Sequence, residues 1–411
     1  MKILMAWEVG RNFGHIGMLV NLAKSLLKQN EKAEIIFALQ RPETALKFAS
    51  RFEYKLLQAP YYPPRRGPGS QKFGTTKLFS DDLWPCGYHD PEVLAGLLRS
   101  WSDLYDMVKP NMLVAQAAPT ALLAAREHNF KKVAFGGGYD VTAKSDPMPP
   151  LRYWENNDES DLKERASEVL DVINGAQKIL KRPKLKSFMQ AIETDADYLN
   201  TFEELDHFPN RSEIQGCDVK YYGGTFAIDK GEALEWNKSA DHRIFAYIRH
   251  DAQGFKQCLE ALSMISSKTD MIVSAPGIAE ALKQKLEKPH LRIVDGPVKL
   301  SSILKECDLG ITHAGQGTSY AFAVHGVPQL FLPGHIEQFM FAKAAGRQKL
   351  GRGLAGNYGT DKVIELIKIL IEDPQYKQAS QAFAEKYKKF NPKKVSDTIA
   401  EDMLKLRKKK S

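Results

Sequence analysis

Three places in the 411-residue chain gather residue types that can do chemistry. The first is Gly14-His15, where a glycine allows a tight turn and an imidazole near its ordinary pKa suits proton removal at neutral pH. The same pair also fits a plain helix start. The second is the run Thr312-His313-Ala314-Gly315-Gln316-Gly317-Thr318-Ser319. Two glycines at alternate positions let backbone N–H groups approach a ligand closely, and a helix starting there presents its positive end. That combination makes an anion site, most often for phosphate, with His313 as a further donor. The chain has no GxxxxGK[ST] run, so the site is not a P-loop. The third place is Gly326-Val327-Pro328-Gln329 followed by Pro333-Gly334-His335-Ile336-Glu337-Gln338. A carboxylate and an amide just past a strand end can bind neighbouring hydroxyls of a sugar. Read alone, Glu337 equally well complements a helix dipole.

All three need strands and helices to hold them. Residues 2–7 read as a buried strand, followed by a loop through Gly14 and a helix with Leu19, Leu22, Ala23 and Leu26 at helical spacing. With a strand at 34–39 this is a βαβ unit, which implies a parallel sheet and a right-handed crossover. Apolar runs at 112–115 and 133–135 bracket a helical 121–127. The alternation returns at 243–248, 271–274, 291–294, 309–312 and 329–332. Ligands of such sheets bind beyond the carboxyl ends of the strands, where all three motifs fall.

Two domains are therefore expected: 1–228, a polar linker at 229–242, and 243–375, followed by C-terminal helices and a basic tail at 376–411. Length agrees, at roughly 150 residues per domain. Two stretches interrupt the first half, 60–89 and 136–157, rich in Gly, Pro and aromatic residues, and loops this long are usually functional or mobile. Their Tyr61, Tyr62, Trp84, Tyr88, Tyr139, Met148, Tyr153 and Trp154 are read as an apolar pocket, with packing against the domain's own helices as the alternative.

Composition excludes other classes. Apolar residues at 43% and charged residues at 26% are those of an ordinary globular chain. Cys86, Cys217, Cys258 and Cys307 are far apart with no CxxC spacing, which fits neither a disulfide framework nor a zinc site. The opening apolar run is too short for a signal peptide, and no run approaches the roughly 18 residues that cross a bilayer, so a cytoplasmic protein is expected. Net charge is +8, but Lys405, Arg407, Lys408, Lys409 and Lys410 supply five of it. Nucleic-acid binding needs a basic face and not a basic end, so no nucleic-acid partner is expected. The tail reads as a solvated helix end; its alternative is weak attraction to an anionic membrane surface, about 1 kcal/mol per basic residue.

His313 to Thr318, His325-Gly326-Val327-Pro328-Gln329 and Glu337-Gln338, with Gly14-His15 upstream, resemble the signature of GT-B glycosyltransferases of the UDP-glycosyltransferase superfamily, in particular the bacterial branch acting on antibiotics and other natural products. The resemblance implies an α/β protein of two Rossmann-like domains facing across a cleft, with a small hydrophobic acceptor on the N-terminal side and a nucleotide-sugar on the C-terminal side. It implies an inverting transfer in which His15 deprotonates the acceptor hydroxyl, His313 and Gly315, Gln316, Gly317, Thr318 and Ser319 hold the phosphates, and Glu337 and Gln338 contact the sugar. Neither a metal nor a cofactor is implied, the nucleotide-sugar being a substrate, and the chain has no Asp-x-Asp sequence.

Three departures from the pattern stand out. Where relatives pair the histidine with an aspartate, this chain has Gln116, which can orient an imidazole but not stabilise imidazolium by charge. In a serine protease the analogous loss costs about 10⁴ in rate. Asp140 is the candidate replacement carboxylate. Ala321 stands where an acidic residue often grips the ribose diol, which makes a deoxythymidine donor plausible beside a uridine one. Gly296 falls near the position of a base-stacking tryptophan. A catalytically silent scaffold that binds a nucleotide or a partner protein is the alternative that Gln116 supports, and a nucleotide-sugar epimerase is a second, though it has no use for large aromatic acceptor loops.

Overall fold

A computed structural model of the chain describes residues 1–10, 13–48, 52–63 and 72–406. The chain folds into two compact units, one of residues 1–202, 210–223 and 394–411, the other of 203–209 and 224–393.

The first unit is built on β1 (Lys2–Trp7), β2 (Glu34–Leu39), β3 (Lys55–Gln58), β4 (Met112–Gln116), β5 (Lys131–Gly136) and β6 (Ala196–Leu199). They form one parallel sheet in the order β3-β2-β1-β4-β5-β6. The central strands β1 and β4 are unbroken apolar runs because helices cover both faces. The helix Phe13–Gln29 buries Ile16, Leu19, Leu22, Ala23 and Leu26, as its spacing requires. The helix Pro91–Val108 starts where the Asp90 side chain accepts from the N–H groups of Glu92 and Val93, and stops at Lys109 in the left-handed region.

The second unit repeats the plan with β7 (His242–Tyr247), β8 (Thr269–Ser274), β9 (Leu291–Val294), β10 (Leu309–Thr312), β11 (Gln329–Phe331) and β12 (Gly351–Gly353), in the order β12-β11-β10-β7-β8-β9 and again parallel. Alternation divides its core: Ile244, Ala246, Met271 and Val273 face one layer, Phe245 and Ile272 the other. Both units are Rossmann-like.

The expectations missed β3, β6 and β12, and all three are outermost strands. β12 is Gly-Arg-Gly, with no strand propensity; it pairs with β11 at an approach so close that a side chain at Gly351 would run into the Gln329 carbonyl, so glycine is required there. The stretch expected as a linker packs into the second unit, where Trp236 is buried with its Nε1 donating to Ile303 O at 2.8 Å. The final helix, Pro392–Leu406, belongs almost entirely to the first unit, and Asp402 there bonds Tyr222 Oη at 2.9 Å.

The two interrupting stretches are tied together. Leu151 N–H donates to Lys77 O at 2.7 Å, and Arg165 reaches Phe73 O, Thr75 O and the buried Asp81 carboxylate. Among the described residues no helix is long and apolar enough to cross a membrane. Of the basic tail, Lys405 pairs with Glu401 and Asp402 on its own helix, while Arg407, Lys408, Lys409 and Lys410 lie outside the described residues.

Candidate active site

In each sheet the connections reverse direction between the two central strands, β1 and β4 in the first unit, β7 and β10 in the second, and a crevice opens at their carboxyl ends. Trp7 and Gln116 are register partners at that point of the first sheet. The chain leaving β1 turns through Gly10 into the helix whose third residue is His15. The imidazole stacks on Trp7, ring centroids 5.2 Å apart, and its Nδ1 lies 3.0 Å from Gln116 Oε1 and 2.8 Å from Gln116 Nε2. Gln116 Nε2 donates to Asp140 Oδ2 at 3.0 Å. A carboxylate only accepts, so the amide nitrogen faces Asp140, and when Nδ1 carries the imidazole proton Oε1 accepts it. The imidazole then carries its lone pair on Nε2, the form a general base requires.

Backbone geometry frames this line. Gly10 has φ +98°, and a Cβ on it would collide with His15 Nε2. Gly136 has φ +154°, and a Cβ there would come 2.7 Å from Asp140 Cβ; Gly137 N–H donates to Asp140 Oδ2 at 3.2 Å. The expectation of a carboxylate within direct reach of the imidazole is corrected in one respect: Asp140 reaches the ring through the Gln116 amide.

Glu8, one residue past Trp7, points to the opposite side. Its buried carboxyl accepts from Trp101 Nε1 at 2.5 Å and from Thr120 N–H at 2.8 Å, in the first turn of the helix Pro119–Ala125. Burial pushes its pKa up to about 8 against those hydrogen bonds.

Of the five residues expected on the acceptor side, Tyr61 lines a recess with Glu8, Val9, Tyr62, Tyr88 and Pro119. Trp84 and Tyr139 are packing residues. Trp84 is buried against Phe73, centroids 5.0 Å apart, and Tyr139 Oη donates to Asp82 Oδ2 at 2.8 Å. Tyr153 and Trp154 pack edge to face on each other, centroids 5.0 Å apart.

In the second unit Tyr247 and Thr312 are register partners at the ends of β7 and β10, and the Tyr247 ring lies 5.5 Å from that of His313. Ala314 follows at φ +62°, a left-handed conformation uncommon for a residue with a Cβ, held by its N–H donating to Thr312 Oγ1 at 3.1 Å. The helix Gln316–Val324 then starts at Gly315. Gly317 is exposed, and nothing lies within 4 Å of where its Cβ would be. The N–H groups of Gln316, Gly317 and Thr318 are thus the unsatisfied donors of a helix start. Ser319 departs from expectation: it is fully buried, its hydroxyl 3.3 Å from Thr312 Oγ1, and it supports the loop from behind.

Burial, and then the charge of Arg249, push the His313 pKa down to about 4. His313 is therefore a neutral donor. Arg249 lies two residues past the end of β7, paired with Asp251 at 2.6 and 2.9 Å and near enough to His313 for its charge to be felt there. Glu337 lies in the first turn of the helix Ile336–Arg347, its pKa brought down to about 2: burial opposes ionisation, and hydrogen bonds and charge from His207, with help from His335 and Gln316, outweigh it. Gln316 Nε2 donates to Glu337 Oε1 at 3.0 Å, joining the second and third sequence motifs. Gln338 accepts from Gly334 N–H through Oε1 at 2.8 Å, which leaves its amide nitrogen as the donating end. Ala321 is fully buried in the core, so an acid at this position of the helix has no water or ligand to meet. No group of His, Cys, Asp and Glu among the described residues is arranged to hold a metal.

Sequence reasoning missed Trp7, Arg249 and His207. The rule that ligands gather at strand ends points to Arg249; nothing local in the sequence marks His207.

Two Rossmann-like units with such crevices define the GT-B class. Residues 265–402 match the family described as "Erythromycin biosynthesis protein CIII-like, C-terminal domain". No curated protein matches the chain. Among solved structures it is similar to the glycotransferase of kitacinnamycin, at 12% identity over 98% of both chains with a TM-score of 0.68. It is similar to CalG4, the calicheamicin glycosyltransferase, at 14% identity over 97% of both chains and a TM-score of 0.68. A third is the spinosyn rhamnosyltransferase SpnG complexed with thymidine diphosphate, at 16% identity over 97% of this chain and 99% of that one, TM-score 0.62. At 12% to 16% identity these similarities show a shared fold, the two Rossmann-like units of the GT-B plan.

Proposed function

We propose that this protein is an inverting glycosyltransferase that moves a sugar from a nucleoside diphosphate donor to a hydroxyl of a small hydrophobic acceptor. The observation that carries this reading is the His15–Gln116–Asp140 line at the first sheet's crevice, which orients the histidine as a base. The second unit supplies a helix start, a neutral histidine and an arginine for a diphosphate, and beside them a carboxylate and an amide for sugar hydroxyls.

In the reaction His15 Nε2 takes the proton of the acceptor hydroxyl. The oxygen attacks the anomeric carbon as the bond to the diphosphate oxygen breaks, so the configuration inverts in one displacement. The imidazolium is stabilised by Asp140 across a neutral amide, more weakly than by direct contact. The N–H groups of Gln316, Gly317 and Thr318, His313 and Arg249 receive the charge of the leaving diphosphate as an oxyanion site does, which asks for no metal. Glu337 accepts and Gln338 donates, a pairing that suits hydroxyls, which do both.

The donor is a thymidine or uridine diphosphate sugar. A similar structure, the spinosyn rhamnosyltransferase SpnG, was solved with thymidine diphosphate, and here thymidine diphosphate should compete with uridine diphosphate at comparable affinity. A preference for the ribonucleotide above about 100-fold, or 2.7 kcal/mol, would show that another group grips the ribose. The decisive experiment is nucleotide release from a panel of sugar nucleotides with and without hydroxylated hydrophobic acceptors. Release that depends on acceptor supports transfer, conversion of the sugar nucleotide alone indicates an epimerase, and binding without turnover indicates a silent scaffold.

A further inference from the structure

The chain between Phe202 and Asn210 contains a short segment, 203–209, that belongs to the second unit although the residues before and after it belong to the first. It runs along the helix Ile336–Arg347: at one end Arg347 Nη2 donates to Asp206 O at 3.4 Å, and at the other His207 meets Glu337. His207 is fully buried, its ring 6.0 Å from that of Phe341, one helical turn on from Glu337. Its Nε2 lies 3.3 Å from Glu337 Oε1, the same oxygen that Gln316 Nε2 reaches at 3.0 Å; Tyr320 Oη donates in turn to Gln316 Oε1 at 3.0 Å.

The two oxygens of Glu337 therefore have different duties. Oε1 is engaged by His207 and Gln316. Oε2 is turned toward the half-exposed His335, whose Nδ1 is 3.8 Å away. A carboxylate with one oxygen anchored by two donors has a fixed rotamer, and the other oxygen then points in a set direction at no further entropic cost on binding.

We propose that His207 is a positioning residue for the sugar end of the donor: by anchoring Glu337 Oε1 it aims Oε2 at a hydroxyl of the transferred sugar, and so separates a sugar nucleotide from the bare nucleoside diphosphate. This rests on the reading of Glu337 as a sugar contact. It assigns a function to a segment that carries no motif.

The test is calorimetric titration of the full chain with thymidine diphosphate and with its glucose ester, for the wild type, His207→Phe, His207→Gln, Glu337→Gln and the double variant His207→Phe/Glu337→Gln. His207→Phe keeps a ring against Phe341 and removes the donor. It should leave thymidine diphosphate affinity within about twofold and weaken the sugar nucleotide about tenfold or more, the size of one hydrogen bond to a charged group. His207→Gln, whose amide keeps an N–H near the Nε2 position, should restore most of the loss. The double variant should be no weaker than Glu337→Gln alone, because both changes remove one interaction.

Equal weakening of both ligands by His207→Phe, an unchanged sugar nucleotide affinity, or multiplying losses in the double variant each overturn the proposal. Should the phenylalanine variant not fold, His207→Asn, too short to reach the carboxylate, takes its place with the same expectation. If Glu337→Gln itself leaves the two affinities in their wild-type ratio, the sugar-contact reading fails; a loss there with none at His207 sinks only the role of His207.

Discussion

His15 and Gln116 meet across the central strands of the first sheet, imidazole Nδ1 to amide Oε1 at 3.0 Å, and behind the amide Asp140 accepts the other end at 3.0 Å. A neutral side chain thus occupies the place of a charge and passes on the orienting effect of one. If His15 is the base, His15→Ala should lower transfer by about 10² to 10⁴ while donor affinity stays unchanged. Full activity in that variant, measured in the acceptor-dependent assay, removes the proposed base.

The amide also predicts an interaction between two substitutions. Gln116→Glu alone sets two carboxyl groups about 3 Å apart, where only one can ionise readily, and should slow transfer by about tenfold or more. Adding Asp140→Asn relieves the repulsion, keeps a donor facing the new carboxylate and puts charge directly against His15. The double variant should be faster than Gln116→Glu. Losses that simply multiply in the rate measurements would show that Asp140 does not act through position 116.

Gly10 is the position at which a small change should reach the base without touching the donor. Alanine there meets His15 Nε2 and must hold φ +98°, strained for any residue with a Cβ. Gly10→Ala should reduce transfer toward the level of His15→Ala, with thymidine diphosphate affinity unchanged by calorimetry. Wild-type turnover would mean that the imidazole moves freely aside.

On the donor side, His313→Ala should weaken nucleoside diphosphate binding by on the order of 1 to 3 kcal/mol while the fold persists, since His313 sits at a strand end with its Nδ1 unpartnered among the described residues. Calorimetry with thymidine diphosphate reads this directly. Unchanged affinity would leave the helix start and Arg249 as the phosphate site.

Glu8 sets the sign of a pH effect on stability. Its pKa rises on folding from 4.5 to about 8, so the folded chain holds that proton more tightly than the unfolded one. The stabilisation is complete below the unfolded pKa and is lost as pH rises through the folded one. Compared by urea unfolding at pH 5 and pH 8.5, the wild type should lose on the order of 4 kcal/mol relative to Glu8→Gln. Parallel pH profiles would mean that the Trp101 and Thr120 donors keep Glu8 ionised in the folded chain.

The sequence by itself determined the repeated α/β plan and the placing of its motifs at the carboxyl ends of the strands. Apolar runs such as 3–7 and 309–311 have one stable use, as strands covered on both faces, and a motif just past such a strand can only fall at the sheet's carboxyl edge. His15, His313 and Glu337 were legible for that reason. The edge strands were not, because Gly351–Gly353 has no strand propensity and pairs where the close approach of the Gln329 carbonyl admits only glycine. Tertiary structure alone decided that Gln116 joins His15 to Asp140, that Trp84 and Tyr139 pack inside, that Ser319 turns inward, and that His207 holds Glu337 from 130 positions away. Each of these depends on which side chains long-range packing brings together. Local spacing carries the period of a helix or a strand, and that period contains no information about a partner contributed by another element.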